Sequence, residues 1–393
     1  MMRRVLADVW LAVTLLSSTP AFATQLYFGA DLSFAGRMAD CGARYRDTDG
    51  KVHDIYTIFK NHGANLIRFR LWTDGNRTGY SDLLDVERGI RNARALGMQV
   101  QLDFHYSDSW ADAEHQVIPQ SWEGITHPVT DGRVAQERTR SEDLIHDREL
   151  ADTLYNYTYY ILTTLAYQGL MPDMVQVGNE INPEMLGELN WEFVPTSQYN
   201  RPIDWQRDAM IINAGIKAVR DAGRKTQTRP RIMLQIAHTE NVEPWIAAAA
   251  KAGVTDYDII GISYYSRHVA TELDELGAAI RRLRKAYPGK DVMVIETSYP
   301  WTSDPDRQRQ SNPNADDLLP QYPATIDGQK RYLFDLTRTI LEAGGDGLNY
   351  WAPDEIPTKC ESRSHNSFAL FDLDGNVLPG IDFMKVRVPE GAR

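Results

Sequence analysis

Met174-Val-Gln-Val-Gly-Asn179-Glu180 is an apolar β-like run that ends on a carboxylate, and Val292-Met-Val-Ile-Glu296-Thr297 is a second of the same kind. A charge at the end of a buried strand is costly unless a partner or a task accounts for it. Outward from these two, similar runs recur at 26–30, 65–72, 98–105, 231–237, 258–265 and 347–351, so that 174–180 and 291–297 become the fourth and seventh of a series. Most are dense in Val, Ile, Leu, Phe and Tyr, as parallel strands covered on both faces are. Helical periodicity separates them at 82–95, 142–167, 204–222, 243–252, 273–286 and 330–343. This alternation predicts an α/β chain folded as a (β/α)8 TIM barrel, a single domain with long strand-to-helix loops.

The connections differ on the two sides of the strands. Helix-to-strand turns are short and carry Gly63, Gly97, Gly169, Gly253, Gly289 and Gly344, where a helix must stop. Strand-to-helix connections at 106–141 and 298–328, and the stretch beyond Trp351, are long. Long loops at strand C-termini build the working face of such a barrel.

The bulk properties fit a globular domain. Of 393 residues, 42% are hydrophobic and 24% charged, and the formal charge is −12, which argues against nucleic acid or an anionic membrane surface as partner. Residues 1–23 read as an export signal. Arg3 and Arg4 begin it, an apolar stretch covers 9–16, and Ala21-Phe22-Ala23 offers small residues for cleavage. The apolar stretch is too short to span a bilayer. The mature barrel would cover 24–393, periplasmic or secreted, and a monomer is expected. Cys41 and Cys360 are the two cysteines. Export permits a bridge between them. First and last strand-to-helix loops adjoin in a closed barrel, so it would clasp the closure; two buried thiols are the alternative.

Glu180 and Glu296, at the C-terminal ends of the fourth and seventh runs, can face one opening. Two carboxyls so placed are the apparatus of glycoside hydrolysis, one donating a proton to the leaving oxygen and the other attacking or activating water. Taken singly, either glutamate is as readily a salt-bridged strand end.

Several segments in order carry a resemblance. They are Gly29-Ala-Asp31 with Phe34; Asn65-Leu-Ile-Arg-Phe-Arg70-Leu-Trp72; Leu102-Asp-Phe-His105-Tyr-Ser-Asp-Ser-Trp110-Ala-Asp112; Val175-Gln-Val-Gly-Asn179-Glu180-Ile-Asn182; Asp258-Ile-Ile-Gly-Ile-Ser-Tyr-Tyr265; Glu296-Thr-Ser-Tyr-Pro-Trp301; and Tyr350-Trp351. Together they resemble glycoside hydrolase family 53, the arabinogalactan endo-β-1,4-galactanases. The resemblance implies a retaining enzyme acting on the β-1,4-galactan side chains of pectin, with Glu180 as acid/base and Glu296 as nucleophile. It places Asn179 at the sugar hydroxyl beside the anomeric centre, and Arg70 and Tyr265 beside the nucleophile. His105 and His238 fall at polar positions of the cleft. Trp110, Trp301 and Trp351 follow strand ends on the loop side and are read as sugar platforms, whereas Trp191, Trp205 and Trp245 are read as structural. Chemistry on mannan or xylan, and a sugar-binding barrel without catalysis, are the rival readings.

No cofactor is required by this chemistry, and no metal is assigned. Some relatives bind calcium in the loop after the seventh strand. There Asp304, Asp306, Asn312, Asn314, Asp316 and Asp317 offer oxygen ligands without a recognisable spacing, so a solvated acidic loop is the reading preferred.

Overall fold

The structure, a computed structural model, describes residues 25–74, 79–122, 140–187, 189–190, 203–266, 273–304, 318–360 and 367–389. The leader at 1–23 lies outside them, as do Trp191 and every calcium candidate except Asp304.

Eight parallel strands close into a barrel: β1 (Tyr27–Asp31), β2 (Leu66–Leu71), β3 (Gln99–Phe104), β4 (Met174–Val177), β5 (Arg231–Ala237), β6 (Ile259–Ser263), β7 (Asp291–Glu296) and β8 (Gly347–Tyr350). Each pairs with its neighbours in chain order, and β1 pairs with β8 through Tyr27↔Gly347 and Phe28↔Leu348 to close the cylinder. Around it stand α1 (Ala35–Asp40), α2 (Ile55–Asn61), α3 (Leu83–Ala95), α4 (Arg140–Tyr167), α5 (Trp205–Thr226), α6 (Thr239–Lys251), α7 (Leu273–Ala286) and α8 (Ile326–Glu342). The short helices α1 and α2 lack a readable sequence period. Helix α8 begins earlier than its apolar spacing suggests, because Thr325 caps it by accepting from the Gly328 amide. Helix α6 also starts before 243, at Thr239, so that Pro244 lies inside it and removes one i→i−4 hydrogen bond.

Strand alternation divides the interior in two. Outward residues such as Phe69, Val100, Val175, Leu234 and Val294 join the main core against the helices. Inward residues Tyr27, Leu66, Met174, Met233, Ile259, Met293 and Ile295 form a separate apolar plug. Farther along the same inward rows come polar groups: Arg68, Gln101, Asp103, Gln176 and Gln235, all buried. The barrel is thus apolar toward the N-terminal ends of its strands and polar toward the loop face.

A repeated device tidies the N-terminal mouth. The side chains of Asn65, Asp173, Asp258 and Asp346 accept the amides of Phe28, Val100, Ile232 and Val292 at 2.8, 2.7, 2.8 and 2.9 Å. Each satisfies a strand-start donor that the parallel ladder leaves unpaired.

Cys41 caps the C-terminus of α1 and is bonded to Cys360 beyond β8, with Cα atoms 5.4 Å apart, so the bridge spans the β1–β8 seam. A 3-10 helix at Pro379–Lys385 straps the chain end against α8, and buried His62 sits between Asp47 at 2.9 Å and Asp382 at 2.6 Å.

Candidate active site

The loop face holds a cleft of about 320 Å³ whose wall includes Glu180 and Glu296 together with Asp31, Arg68, Arg70, His105, Trp110, Asn179, His238, Tyr265 and Trp351. The two carboxyls therefore share one opening.

Strand β4 ends at Val177, three residues before Glu180, because the backbone turns there. Gly178 takes φ +79, where an added Cβ would meet Ile181 Cγ2 at 2.4 Å. Glu180 itself takes φ +47, unusual for a residue with a side chain. That turn swings the carboxyl over the barrel end. Its Oε2 accepts the Ala113 amide at 3.1 Å, and Ser263 also hydrogen-bonds it. Burial first, and the charge of Glu296 next, push the Glu180 carboxyl up to about 8; the Ser263 and Ala113 hydrogen bonds oppose this. Glu180 is held as an acid.

Glu296 is met by donors instead. Arg68 Nη1 donates to its Oε2 at 3.0 Å, Gln235 Nε2 to the same oxygen at 3.1 Å, and the Tyr265 hydroxyl to Oε1 at 2.7 Å. A register shift between β6 and β7 sets Ser263 opposite Glu296. Two neighbouring carboxyls, each 8% exposed, thus differ in their partners: Glu180 meets fewer donors and is acid-like, whereas Glu296 is solvated by three fixed donors.

Arg68 is the hub. It is 1% exposed and also donates to Asp31 at 3.0 Å, Asp103 at 2.8 Å and Asn179 Oδ1 at 2.7 Å. Burial pulls its pKa down, but Asp103, Glu296 and Asp31 outweigh this and raise it. The expectation that Arg70 lies against the nucleophile position is corrected: the guanidinium touching Glu296 is that of Arg68. Both arginines project inward from β2, and two residues of strand rise separate them. Arg70 stands nearer the rim, donates to Ser81 Oγ at 3.0 Å, and lies over the rings of Phe34, Trp72 and Trp110 at 4.6, 4.6 and 4.2 Å. Burial lowers its pKa.

The other expected residues divide. Asn179 lines the cleft, but its Oδ1 serves Arg68 and its Nδ2 donates to the Ala111 carbonyl at 2.7 Å. Both ring nitrogens of His105 are engaged, Nδ1 by the Ala111 amide at 3.1 Å and Nε2 by Asp103 at 3.0 Å, so it offers the cleft a ring surface. His238, at φ +66, lies at the start of α6 and lines the wall. Trp110 is 38% exposed and packs edge-on to Trp351 at 6.1 Å, and both line the cleft. Trp301 does not line it; its amide donates to the Ser367 carbonyl and its indole nitrogen is buried. The run into Trp301 turns away after Ser298, so a position after a strand end did not place the ring over the opening.

Sequence reasoning missed Arg68, Gln235 and Phe368. Arg68 was visible as a charge on the inward row of β2, in register with Arg70. Gln235 was visible as an amide within an apolar run. Phe368 reaches the wall from a segment after β8 that carries no periodic signal. Among the described residues no cluster of three or more His, Cys, Asp or Glu is arranged to hold a metal ion.

Comparison with known proteins follows the same lines. Residues 27–384 match the family model described as Glycosyl hydrolase family 53. The chain is 38% identical to a protein of Cellvibrio japonicus (strain Ueda107) named arabinogalactan endo-beta-1,4-galactanase, across 98% of this chain and 97% of that one. It is 30% identical to a Bacillus subtilis (strain 168) protein named endo-beta-1,4-galactanase, across 88% of this chain and 74% of that one. Among solved structures, the Ignisphaera aggregans GH53 catalytic domain superposes with a TM-score of 0.73 at 28% identity, covering 93% of this chain and 97% of that one.

Proposed function

The chain belongs to glycosyl hydrolase family 53, and from that membership we propose that it is a retaining, endo-acting glycosidase that cleaves the β-1,4-galactosidic bonds of galactan. The observation that carries the reading is the unlike treatment of two carboxyls in one cleft. Glu180, pushed up to about 8, holds the proton that the glycosidic oxygen needs as its bond breaks. Glu296, fixed by Arg68, Gln235 and Tyr265, presents a carboxylate to the anomeric carbon. Attack by Glu296 gives a glycosyl-enzyme. Glu180, having lost its proton to the leaving sugar, then takes one from the incoming water, and the anomeric configuration is restored. Trp110 and Trp351 supply apolar faces for sugar rings, and Asn179, His238 and Tyr265 polar edges. The carboxyl pair needs no organic cofactor.

Residues 1–23 are read as an export leader, and the proposal extends to a mature enzyme in the periplasm or outside the cell, acting as a monomer. The Cys41–Cys360 bridge supports that reading, since such bonds persist in oxidising compartments. Among the described residues no helix is long and apolar enough to cross a membrane.

The test is reducing-end release on galactan, mannan, xylan and cellulose in parallel. Activity on galactan above the others is expected, with the β-anomer formed first by proton NMR and with Glu296→Ala lowering turnover by several orders of magnitude in a folded protein. Absence of turnover on galactan would refute the proposal.

A further inference from the structure

Glu180 carries out its task from an unfavourable backbone. Its φ of +47 is a left-handed conformation that a Cβ disfavours and that persists only where the surroundings over-determine it. The surroundings are the loop that follows β3. Asn179 Nδ2 donates to the Ala111 carbonyl at 2.7 Å, and the Ala113 amide donates to Glu180 Oε2 at 3.1 Å. The carboxamide of Gln116 closes the arrangement. Its Nε2 donates to the carbonyls of Asp112 at 2.9 Å, Asn179 at 2.9 Å and Glu180 at 3.4 Å.

Gln116 is 3% exposed and does not line the cleft. It is fixed from the other side by a two-residue ribbon, His115–Gln116 with Leu189–Asn190, that ties the β3 loop to the β4 loop. Three carbonyls converge on its nitrogen, so the amide cannot turn over without setting its oxygen against all three. On the opposite side of the peptide, Gln235 Oε1 accepts the Glu180 amide at 3.3 Å. The strained residue is therefore held at its amide from the barrel interior and at its carbonyl from the loop.

We propose that Gln116 is the positioning residue of Glu180, clamping the Asn179–Glu180 backbone onto the same loop whose Ala113 amide holds the carboxyl. The proposal rests on reading Glu180 as the acid/base. Without the clamp, the backbone relaxes from its left-handed turn, the carboxyl leaves the Ala113 amide, and the proton is no longer delivered to the leaving oxygen. Glu296 is held from other strands and keeps its donors.

Two substitutions and two readouts test this. In Gln116→Leu, kcat/KM should fall about 10- to 100-fold on aryl galactosides with poor leaving groups, and less than threefold on a dinitrophenyl galactoside, which departs without a proton. The Glu180 carboxyl, followed by carbon NMR in the substrate-free protein, should titrate well below the wild-type value, because it has swung toward water. Gln116→Glu keeps the shape but has a single O–H donor; burial among three carbonyls favours its protonated form, so at pH 5 it should keep more poor-leaving-group activity than Gln116→Leu and fall to the Gln116→Leu level at pH 8. Equal losses on every leaving group with an unmoved Glu180 titration would overturn the proposal and leave Gln116 a plain structural residue. If the wild type cleaves no galactan, the functional reading falls while the substrate-free titration still decides the clamp.

Discussion

Replacing Arg68 by Met removes the one cation contact of Glu296 among the described residues and the hub of five side chains, Asp31, Asp103, Asn179, Gln235 and Glu296. The guanidinium and its carboxylate partners Asp31, Asp103 and Glu296 are 0–10% exposed, so solvent cannot compensate. Breaking one such buried pair costs about 3–5 kcal/mol, and here three carboxylates are left facing one another, so that range is a floor for the loss of stability. The catalytic effect is separable through Arg68→Lys. Lysine keeps the charge but not the fork that reaches Glu296 through Nη1 and Asp103 and Asn179 through Nη2. Losing one hydrogen bond to a charged group costs about 1.5–3 kcal/mol. At 1.36 kcal/mol per decade that is about 10- to 150-fold in kcat. The assay is initial-rate reducing-end release on galactan, with melting followed by circular dichroism. Arg70→Met is the comparison: it touches Trp110 and not Glu296, so its effect should fall on KM. An Arg68→Met protein that melts with wild type and keeps kcat/KM within threefold would refute the reasoning.

The raised Glu180 carboxyl predicts that kcat/KM falls as pH rises through about 8, where the acid is lost. The same shift carries a stability sign: the native state holds a proton that the unfolded chain releases between about 4.5 and 8, so stability is full below that window and declines across it. Glu180→Gln should thus melt higher than wild type at pH 8 and level with it near pH 4, and a melting difference independent of pH would contradict this. Cys41→Ser with Cys360→Ser opens a link between positions 319 apart and should lower stability by about 2–5 kcal/mol in denaturant titrations, with the active-site chemistry retained. Trp110→Ala removes an exposed ring from the cleft wall and should raise KM on galactan while leaving kcat within severalfold; an unchanged KM would remove Trp110 from the binding surface.

Much of the barrel was legible because its signal is local. Runs of Val, Ile and Leu bounded by helix-stopping glycines recur with little interference, and five of the six expected helices carried a clear period. The short helices α1 and α2 were not legible, since so few residues support no period. The strand run 174–180 overran its end because the turn at Gly178 is a backbone property that an apolar pattern does not report. The four Asn and Asp side chains that finish the strand starts are visible as residues, but their partners lie 26 to 73 positions away.

For the site, residue types were legible along the chain: two glutamates at or just past strand ends, a charged β2, and aromatics in the loops. Alternation with a period of two also puts Arg68 and Arg70 on one face of β2. Which of them meets Glu296 was decided only by the closed barrel, because contact depends on the depth at which rows from different strands coincide, and that depth comes from ladder register. The same holds for the two carboxyls. Their identity is local chemistry, but the difference between an acid and a donor-bound carboxylate arises from burial, from each other's field, and from amides brought in by segments far along the chain.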